Sequence, residues 1–382
     1  MSPEKRPEYT SFCLESALRT PRAWLYSRAL FTPPPEPASP MSLRPHAPTH
    51  SDGSRFDVVG IGNAILDVLV RSDDSFLAEH ELTKGAMTLI DAAAADRLYA
   101  VMGPARECSG GSAANTIAAL ASIGARCAFI GKVRDDQLGQ VFAHDIRALG
   151  VAFDTQPAPR GAPTARCLIF VTPDAQRTMQ TYLGASVGLS PEDIEPKLIA
   201  AAKITYLEGY LWDPPAAKEA FRKAAQAANA AGRLVALTPS DPFCVDRHRA
   251  EFRELVERHV DLLFANEEEI KSLYQVATFD EALQKVRGHC RVAALTRSAK
   301  GAVVVAGAEV HVIDAAPIAN VMDTTGAGDA FAAGFLYGFT HGFDLARSGI
   351  AGAIAAAEVI GHVGARPEAS LKSLIADRLG AI

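Results

Sequence analysis

The sequence lacks the long apolar run of a membrane-spanning protein and the basic excess of a nucleic-acid-binding one. Its longest apolar stretches, such as residues 351–360, contain Gly or Glu and fall short of the roughly 20 residues that cross a bilayer. Lys and Arg number 38 against 44 Asp and Glu, for a net charge of −6. We therefore expect no membrane span and no nucleic-acid partner.

Paired cysteines are also missing. The six cysteines are widely spaced, form no CxxC pair and stand mostly in apolar surroundings: Cys13, Cys108, Cys127, Cys167, Cys244 and Cys290. This pattern favours reduced, buried thiols over disulfides or metal ligands. It predicts a protein of the reducing cytoplasm.

Two common nucleotide-binding fingerprints are incomplete. The G-K-V at residues 131–133 lacks both the upstream Gly and the hydroxyl residue of a GxxxxGK[ST] loop. The G-I-G at residues 60–62 continues to Ile65 where the dinucleotide fingerprint needs a third Gly. The sequence therefore argues against a P-loop protein and against a dinucleotide-binding oxidoreductase.

The first 54 residues differ from the rest of the chain. Prolines crowd residues 32–50 without any apolar period, which predicts a disordered tail. A translation start assigned too early, with Met41 as the true start, explains this stretch equally well. The remaining residues, 55–382, belong to a chain that is 48% hydrophobic and 21% charged, a composition that predicts one large globular domain.

From residue 55 the pattern alternates between strands and helices. Apolar runs predict strands at residues 56–61, 127–130, 204–207, 234–237 and 261–264, with amphipathic or Ala-rich helices between them. One helix begins at Ser112, which can act as its cap, and ends at Gly124. The alternation predicts a doubly wound α/β fold with a mainly parallel sheet. Ligands bind beyond the carboxyl ends of such strands, where these polar residues stand: Asn63, Glu208, Thr238, Asn266 and Thr296.

The run D-T-T-G-A-G-D at residues 323–329 precedes a strongly apolar helix. Gly326 and Gly328 let backbone N–H groups converge, and the positive end of the helix adds to them, so the loop predicts a phosphate site. The carboxylate of Asp329, in the first helical turn, is stabilised as an anion there and should be ionised at neutral pH. It could align a hydroxyl with a phosphorus atom. Alternatively, the turn simply starts a helix.

This run resembles the C-terminal signature of the ribokinase-like (PfkB-type) family of sugar and nucleoside kinases. Three further runs match family motifs in the family's order: N-A-I-L-D at residues 63–67, E-C-S-G-G-S-A-A-N at 107–115 and N-E-E-E at 266–269. Together they span nearly all of residues 55–370. Taken singly, the first could be an Asx turn and the last an acidic helix start.

The resemblance implies a role for each matching residue. Asp329 would face the acceptor hydroxyl while Gly326, Ala327 and Gly328 hold the developing charge. ATP and Mg²⁺ would be the cofactors, with Glu269 reaching Mg²⁺ through water, and K⁺ could lie near Asp323 and Thr325. Substrate hydroxyls would be held by Asn63, Asp67, Gly110, Gly111 and Asn115.

The family fold adds a small β-sheet lid to the doubly wound domain. The resemblance places its segments near residues 68–88 and 160–186. The polar turn at residues 172–177, between two extended runs, suits a lid hairpin. Closure of such a lid would exclude water that could otherwise take the phosphoryl group.

Within the family the chain is most similar to the adenosine kinases. Tyr210 and Phe243 match positions where that group places aromatic rings near the nucleoside, although both could be ordinary packing residues. Arg177 matches a lid arginine expected to meet phosphate charge. The ATP-binding side would comprise Thr296, Ser298, Gly301, Asn266 and Gly328.

The implied reaction is transfer of the ATP γ-phosphoryl group to the 5′-hydroxyl of adenosine, by a monomer or homodimer. A kinase for ribose, fructose or a keto-sugar acid would keep the same chemistry at Asp329. A non-catalytic nucleoside-binding protein is a third interpretation, although such a protein could lose Asp329 and its glycines without penalty.

Overall fold

The computed structural model describes residues 53–174 and 176–380. Of the predicted Pro-rich tail, residues 1–54, only the last two residues fall within these ranges. The description below therefore concerns the α/β part of the chain.

Eight strands of the described chain form the main sheet, in the order β13-β12-β11-β10-β9-β8-β1-β5. The pairs from β5 to β11 are parallel, while β12 and β13 add an antiparallel edge. Most of these segments are continuous apolar runs, as expected for strands covered on both faces. Their bounds are β1 Phe56–Ile61, β5 Cys127–Ile130, β8 Ala202–Glu208, β9 Leu234–Thr238, β10 Leu262–Asn266, β11 Val292–Thr296, β12 Ala302–Ala306 and β13 Glu309–Ile313.

A second sheet of five strands forms the lid, in the order β3-β7-β6-β2-β4. The predicted hairpin is present: β6 and β7 are antiparallel, and the Thr172 amide donates to the Gln176 carbonyl oxygen at 3.0 Å. The expected lid segments omit β4, because its sequence R-E-C-S-G has neither alternation nor an apolar run and is extended through pairing with β2. The bounds are β2 Ile65–Arg71, β3 Met87–Leu89, β4 Arg106–Gly110, β6 Ala165–Val171 and β7 Arg177–Tyr182.

The described helices connect these strands and cover both faces of the main sheet. Short 3₁₀ turns lie at Gly184–Gly188, Pro191–Asp193, Gly209–Trp212 and Ser298–Lys300. The helix bounds are α1 Asp74–Glu79, α2 Ala92–Val101, α3 Ser112–Ile123, α4 Gln137–Ala148, α5 Pro196–Ala200, α6 Pro215–Ala230, α7 Pro242–Arg258, α8 Glu267–Tyr274, α9 Phe279–Val286, α10 Ala327–Thr340, α11 Leu345–Val359 and α12 Leu371–Leu379.

Side chains of β1 show how the two faces are filled. Val58 points into a core shared with Phe335 of α10, whereas the next residue, Val59, points into a core shared with Phe221 of α6. Alternate residues of a strand face opposite sides of the sheet, so helices are needed on both sides. The fold is therefore the predicted doubly wound α/β domain with a lid sheet.

Helix α10 is the most deeply buried helix of the site region, since every residue from Ala330 to Thr340 is buried. It packs closely on α11 through Gly334, where an added Cβ would lie 2.3 Å from the Ala351 carbonyl oxygen. This packing explains the unbroken apolar run after Asp329 and fixes the first turn of the helix in place.

Two of the sequence predictions, on the cysteines and on membrane-spanning helices, concern features that the described residues show. The cysteines there are free thiols, and all but the half-buried Cys108 are buried; Cys13 lies outside the described residues. In residues 53–174 and 176–380, no helix combines the length and apolarity that crossing a membrane requires.

Candidate active site

The predicted site residues gather at the carboxyl edge of the main sheet. Glu208 ends β8 beside Thr238 at the end of β9, and Asn266 ends β10 beside Thr296 at the end of β11. Asn63 follows β1 after one intervening residue, Gly62. The polar residues that stand after each strand in the sequence therefore do share one edge of the sheet, as the parallel arrangement predicts.

Asp329 lies in the first turn of α10 and is held by the start of α3. The Ser112 hydroxyl donates to Asp329 Oδ1 at 2.6 Å, and Asn115 Nδ2 lies 3.4 Å from Oδ2. Ser112 is therefore not the helix cap that the sequence predicts. Gly111, with φ of 98°, takes the N-cap position, which frees the Ser112 hydroxyl to reach across to Asp329.

The charge state of Asp329 is set by burial more than by the helix end. Burial raises the pKa of Asp329 to about 6, against the lowering effects of Ser112, Asn115 and Arg366. The sequence argument from the helix end left out this loss of contact with water, which acts in the opposite direction. At pH 7 the group is nevertheless mostly ionised, as the sequence predicted.

The glycine loop before α10 has one constrained glycine and one that faces open space. Gly326 has φ of 76°, and a Cβ there would lie 2.6 Å from the Ala365 Cβ, so only glycine fits. A Cβ on Gly328 would meet no atom within 4 Å. The Ala327 amide already donates to the Thr324 carbonyl oxygen at 3.2 Å. The loop therefore offers an anion fewer free N–H groups than the three that the sequence predicted at residues 326–328.

Glu208 joins the loop after β1 to the start of α3. Its Oε1 accepts from Asn63 Nδ2 at 2.7 Å, and its Oε2 accepts from the Ala113 amide at 2.7 Å. Burial raises the pKa of Glu208 to about 7, so its charge depends on these N–H donors. The sequence placed Glu208 at the edge of the sheet but gave it no role, because its partners are far away along the chain.

Two amide oxygens in this region have no hydrogen-bond partner among the described residues. They are Oδ1 of Asn63 and Oδ1 of Asn115, both buried. In each case the amide nitrogen faces a carboxylate, Glu208 or Asp329, so the oxygen is left as an acceptor. Buried polar atoms normally have partners, and an unpaired one at a site calls for a ligand or water.

Asp67 lies over the glycine pair, as the motifs predict. On β2 it faces Cys108 of β4, and a Cβ on Gly110 would lie 2.4 Å from its carboxyl carbon. Gly111 approaches the chain after β1 so closely that a Cβ would lie 2.2 Å from the Asn63 carbonyl oxygen. Burial raises the pKa of Asp67 to about 6, although Arg177 and Arg366 act to lower it.

Arg177 connects the lid to the glycine loop. Its Nη1 lies 2.7 Å from Asp323 Oδ2, and both side chains are only 6% exposed. The amides of Thr325 and Gly364 donate to the same carboxylate, to Oδ1 at 2.9 Å and to Oδ2 at 3.0 Å. These N–H bonds and the charge of Arg177 hold the pKa of Asp323 below its usual value although burial opposes them.

This arrangement does not fit a K⁺ ion at Asp323 and Thr325. Both oxygens of the Asp323 carboxylate accept N–H donors, and a buried guanidinium already supplies positive charge at hydrogen-bond distance. A second cation on the same carboxylate would be repelled at short range in a site with little water. The sequence could not anticipate this, because Arg177 lies 146 positions away in the lid.

Asn266 and Glu269 cap α8. The Glu269 carboxylate accepts from the Asn266 amide at 2.9 Å and from its Nδ2 at 2.6 Å, while Asn266 Oδ1 accepts from the Glu268 and Glu269 amides. Burial raises the pKa of Glu269 to about 7. The capping interpretation is therefore correct for both residues, and any contact of Glu269 with Mg²⁺ would run through water.

Mg²⁺ itself would find few protein ligands here. Among residues 53–174 and 176–380, no three His, Cys, Asp or Glu residues gather closely enough to hold a metal ion. Mg²⁺ in phosphate-transferring sites is typically bound by one or two carboxylates together with substrate phosphates and water. The residues present fit an ion that arrives on ATP.

The predicted ATP-binding loop is a tight turn between β11 and β12. The Arg297 amide donates to the Gly301 carbonyl oxygen at 2.7 Å, and Gly301 has φ of 79°. Ser298 also has positive φ, 52°, and a Cβ on Gly301 would lie 2.0 Å from the Ile313 carbonyl oxygen, so the turn requires glycine there. Thr296 lies beside Asn266 across the strand pair, which brings these predicted residues to one end of the sheet.

The two predicted aromatic residues have different surroundings. Tyr210 is 38% exposed and its amide donates to the Ser240 hydroxyl at 3.0 Å, while loss of water around its own hydroxyl raises the pKa of this tyrosine, with smaller effects from Asp241 and Asp329. Phe243 is 75% exposed and borders a surface depression between α7 and α8 together with Lys271. Phe243 is therefore the more exposed of the two rings.

Sequence reasoning missed one half-buried arginine altogether, two of whose guanidinium nitrogens are buried. Arg366 follows α11, and its Nη2 donates to the Ser109 hydroxyl at 3.0 Å. Its charge acts on both Asp67 and Asp329. A single Arg in the run G-A-R-P carries no recognisable signal, so only the fold could reveal it.

Comparison with known proteins agrees with this geometry. The model of the pfkB family of carbohydrate kinases matches residues 102–371. The crystal structure of a probable sugar kinase from Rhizobium etli is 51% identical and covers 86% of this chain and 100% of that one, with a TM-score of 0.79. Adenosine kinase from Sinorhizobium meliloti is 53% identical with the same coverage and a TM-score of 0.78.

A more distant relative is the ATP-dependent ribose-1-phosphate kinase of Halopiger xanaduensis. It is 30% identical over 249 residues, which cover 64% of this chain and 77% of that protein. The chain thus belongs to the pfkB carbohydrate kinase family, and it is a phosphotransferase with an alcohol group as acceptor. Its fold is the ribokinase-like fold of that family, and it is about equally similar to the adenosine kinase and to the probable sugar kinase.

Proposed function

We propose that the protein transfers the γ-phosphoryl group of ATP to the 5′-hydroxyl of adenosine, giving AMP and ADP. The observation that carries the proposal is the set of acceptors around the glycine pair. Two carboxylates, Asp67 and Asp329, and two unpaired amide oxygens, on Asn63 and Asn115, all call for hydroxyl donors. A ribosyl group offers three hydroxyls. Two of them could donate to Asp67 and the amide oxygens, and the third could donate to Asp329.

The mechanism follows from the position of Asp329. Its carboxylate, held by Ser112 and Asn115, would hold the acceptor hydroxyl in line with the γ-phosphorus and take its proton late in the transfer. The O–P bond to the acceptor forms as the bond from the γ-phosphorus to the β,γ-bridging oxygen breaks, and ADP leaves. The open side of Gly328 leaves room for the phosphate beside the positive end of α10.

Mg²⁺ bound to ATP would neutralise charge on the phosphates. The protein's own contribution is orientation and exclusion of water. Arg177 ties the lid strand β7 to the glycine loop through Asp323, so the lid sheet covers the site while this ion pair is formed. Exclusion of water favours transfer to the acceptor over hydrolysis of ATP.

Activity should be lost as the pH falls through about 6. Burial raises the pKa of Asp329 to about 6, and only the ionised form can accept the hydroxyl proton. The value of kcat/KM for the acceptor should therefore be near its plateau above pH 7, and it should fall by about tenfold per pH unit well below pH 6. Steady-state rates between pH 5 and 9 test this, and a rate that stays constant down to pH 5 would contradict it.

The enzyme should not require potassium. The guanidinium of Arg177 already occupies the Asp323 carboxylate, so we expect equal rates in KCl, NaCl and choline chloride at matched ionic strength. The Arg177→Met variant provides the comparison, because removal of the guanidinium opens that carboxylate to a cation. A wild-type rate that rises with K⁺ and not with choline would contradict this arrangement.

Tyr210 should contribute to acceptor binding more than Phe243. Loss of a ring that stacks on a base costs roughly 1–3 kcal/mol. Tyr210→Ala should therefore raise KM for adenosine about tenfold or more. Phe243→Ala, at an exposed ring of similar size, is the matched control and should have a smaller effect. Equal effects of the two substitutions would contradict this role of Tyr210.

A sugar or sugar phosphate is the second candidate acceptor. Of the two predicted aromatic residues, Phe243 is 75% exposed, which favours an acceptor without a base, and relatives of this chain include the probable sugar kinase and the ribose-1-phosphate kinase. Either acceptor would use the same chemistry at Asp329.

Coupled ADP release separates the candidates. Purified protein would be assayed with MgATP and adenosine, inosine, guanosine, ribose, fructose or ribose 1-phosphate. Adenosine should give the highest kcat/KM by a wide margin. A higher value with ribose 1-phosphate or a free sugar would keep the fold and mechanism and replace the acceptor. Failure of every acceptor to stimulate ADP release would reject the proposal.

A further inference from the structure

Glu208 is a buried carboxylate between two of the loops that carry the acceptor residues. It ends β8 and is only 1% exposed. Asn63 comes shortly after β1, and Ala113 lies in the first turn of α3 beside Ser112. A Cβ on Gly62 would lie 2.3 Å from Glu208 Oε2, so the close approach of the chain depends on glycine there. Glu208 is therefore enclosed by the loop after β1 and by the start of α3.

The carboxylate of Glu208 accepts hydrogen bonds from three nitrogens. Oε1 accepts from Asn63 Nδ2 at 2.7 Å and from the Asn63 amide at 3.3 Å, and Oε2 accepts from the Ala113 amide at 2.7 Å. None of these nitrogens can accept a hydrogen bond, so all three suit a carboxylate and none suits a carboxyl O–H. Each oxygen of Glu208 thus has its partner within the protein.

These bonds determine which end of the Asn63 side chain is left for a ligand. A side-chain amide has donors at its nitrogen and acceptor capacity at its oxygen. Because a carboxylate can only accept, the NH₂ end of Asn63 must face Glu208 and the oxygen must face away from it. Oδ1 of Asn63 is buried and has no hydrogen-bond partner among the described residues. The arrangement therefore leaves a buried acceptor atom that calls for a hydroxyl donor.

Asn63 belongs to the wall of the acceptor site. A Cβ on Gly111 would lie 2.2 Å from the Asn63 carbonyl oxygen, and a Cβ on Gly110 would lie 2.4 Å from the carboxyl carbon of Asp67. The glycine pair thus lies against both Asn63 and Asp67. Each of these two residues offers an acceptor oxygen, as a pair of neighbouring hydroxyls requires.

We propose that Glu208 is a positioning residue for the acceptor: its carboxylate holds the Asn63 amide with Oδ1 towards the acceptor, so that the site selects a substrate with a hydroxyl donor at that point. Glu208 acts through Asn63 and does not touch the acceptor. The selected group is one hydroxyl of the vicinal pair of a ribosyl acceptor. The inference rests on the proposed function, in which Asn63 binds a ribose hydroxyl.

Glu208→Gln should reverse the hydrogen bond at Asn63. The Ala113 amide keeps the oxygen of the new glutamine on its own side, so the glutamine NH₂ group faces Asn63. Asn63 then has to turn its oxygen towards the glutamine and its NH₂ group towards the acceptor. A hydroxyl that meets this NH₂ group can accept from it but loses the partner for its own proton.

A swap of the two polar groups should restore the site. In the combination of Asn63→Asp with Glu208→Gln, the glutamine NH₂ group donates to one oxygen of the new carboxylate. The other oxygen of that carboxylate again faces the acceptor as a hydrogen-bond acceptor. The combined variant therefore restores the selected chemistry with the charge moved from one position to the other.

The experiment measures kcat/KM with MgATP for adenosine, 2′-deoxyadenosine and 3′-deoxyadenosine, together with KM for ATP and a melting curve. The wild type should prefer adenosine to one of the deoxy analogues by about tenfold or more, and Asn63→Ala shows which analogue that is by losing this preference. Glu208→Gln should lose the same preference and keep its KM for ATP. The combined variant should recover the preference to within a few-fold of the wild type.

Glu281→Gln is the matched control. Glu281 is exposed, and its carboxylate accepts from the Thr278 amide at 3.2 Å at the start of α9, where glutamine serves equally well. It should leave all three substrate ratios unchanged. If Glu208→Gln alone does not fold, the combined variant decides the question, because a preference equal to that of the wild type is then expected of it.

Two results would overturn the inference. One is a Glu208→Gln enzyme that is slower with all three substrates alike, as expected if Glu208 only stabilises the loop. The other is a combined variant that discriminates no better than Asn63→Ala. If Asn63→Ala itself keeps the wild-type preference, this inference fails while transfer to adenosine stands. A wild-type enzyme without activity on adenosine would reject the proposed function and this inference with it.

Discussion

Replacing Asp329 with Asn should lower kcat by about 10²–10⁴-fold, the usual contribution of a positioned general base. The Asn side chain has nearly the same shape and can still accept the hydrogen bond from Ser112, so the fold should be unaffected. What is lost is the charge that attracts and finally binds the hydroxyl proton. Initial rates at saturating ATP and acceptor, together with a melting curve, measure both effects.

Asp344→Asn is the matched control for this substitution. Asp344 is the N-cap of α11, where its side chain accepts from the Arg347 amide at 2.7 Å, and Asn caps helices about as well as Asp. The control should therefore keep both stability and turnover. An Asp329→Asn variant that stays within about tenfold of the wild type would remove Asp329 from the chemistry.

Replacing Arg177 with Met should destabilise the protein strongly. The substitution leaves the buried Asp323 carboxylate without its charge partner, and breaking a buried ion pair in this way costs about 3–5 kcal/mol. Urea denaturation of the ligand-free protein measures the loss. The second variant, Asp323→Asn with Arg177→Met, should recover part of it, because no unpaired charge then remains in the site.

Arg222→Met is the matched control for the ion pair. Arg222 lies 2.6 Å from Glu219 within one helix, at the surface, where ion pairs contribute little. Its loss should change the free energy of unfolding far less than the loss of Arg177. Equal effects at the two positions would show that the contact between Arg177 and Asp323 does not hold the lid strand to the glycine loop.

The features that the sequence predicted correctly are those determined by short stretches of the chain. Apolar runs separated by helical segments predicted the parallel sheet, and the D-T-T-G-A-G-D run predicted a glycine turn before a buried helix. The Thr172–Arg177 turn predicted the lid hairpin. In each case the residues that determine the structure are close neighbours in the sequence.

The contacts that complete the site join residues far apart in the chain, and local patterns carry no information about them. Ser112 looked like a helix cap because serine usually is one, yet its hydroxyl reaches Asp329, 217 positions away. The pairing of Arg177 with Asp323 and of Arg366 with Ser109 likewise depends on how the lid and the last loop fold onto the sheet.

The raised pKa values of the carboxylates were equally out of reach of the sequence. Burial raises the pKa values of Asp67 and Asp329 to about 6 and those of Glu208 and Glu269 to about 7. Only the packed structure shows how much water each group has lost. The helix-end argument for Asp329 considered the dipole of one helix and left out this larger effect.

The most direct test of the account is to follow the phosphoryl group itself. Protein incubated with Mg²⁺, γ-labelled ATP and adenosine should produce labelled AMP, and 5′-deoxyadenosine, which lacks the accepting hydroxyl, should produce no labelled nucleotide. Label that appears only in inorganic phosphate, or that reaches ribose or ribose 1-phosphate but not adenosine, would contradict the proposed transfer to the nucleoside.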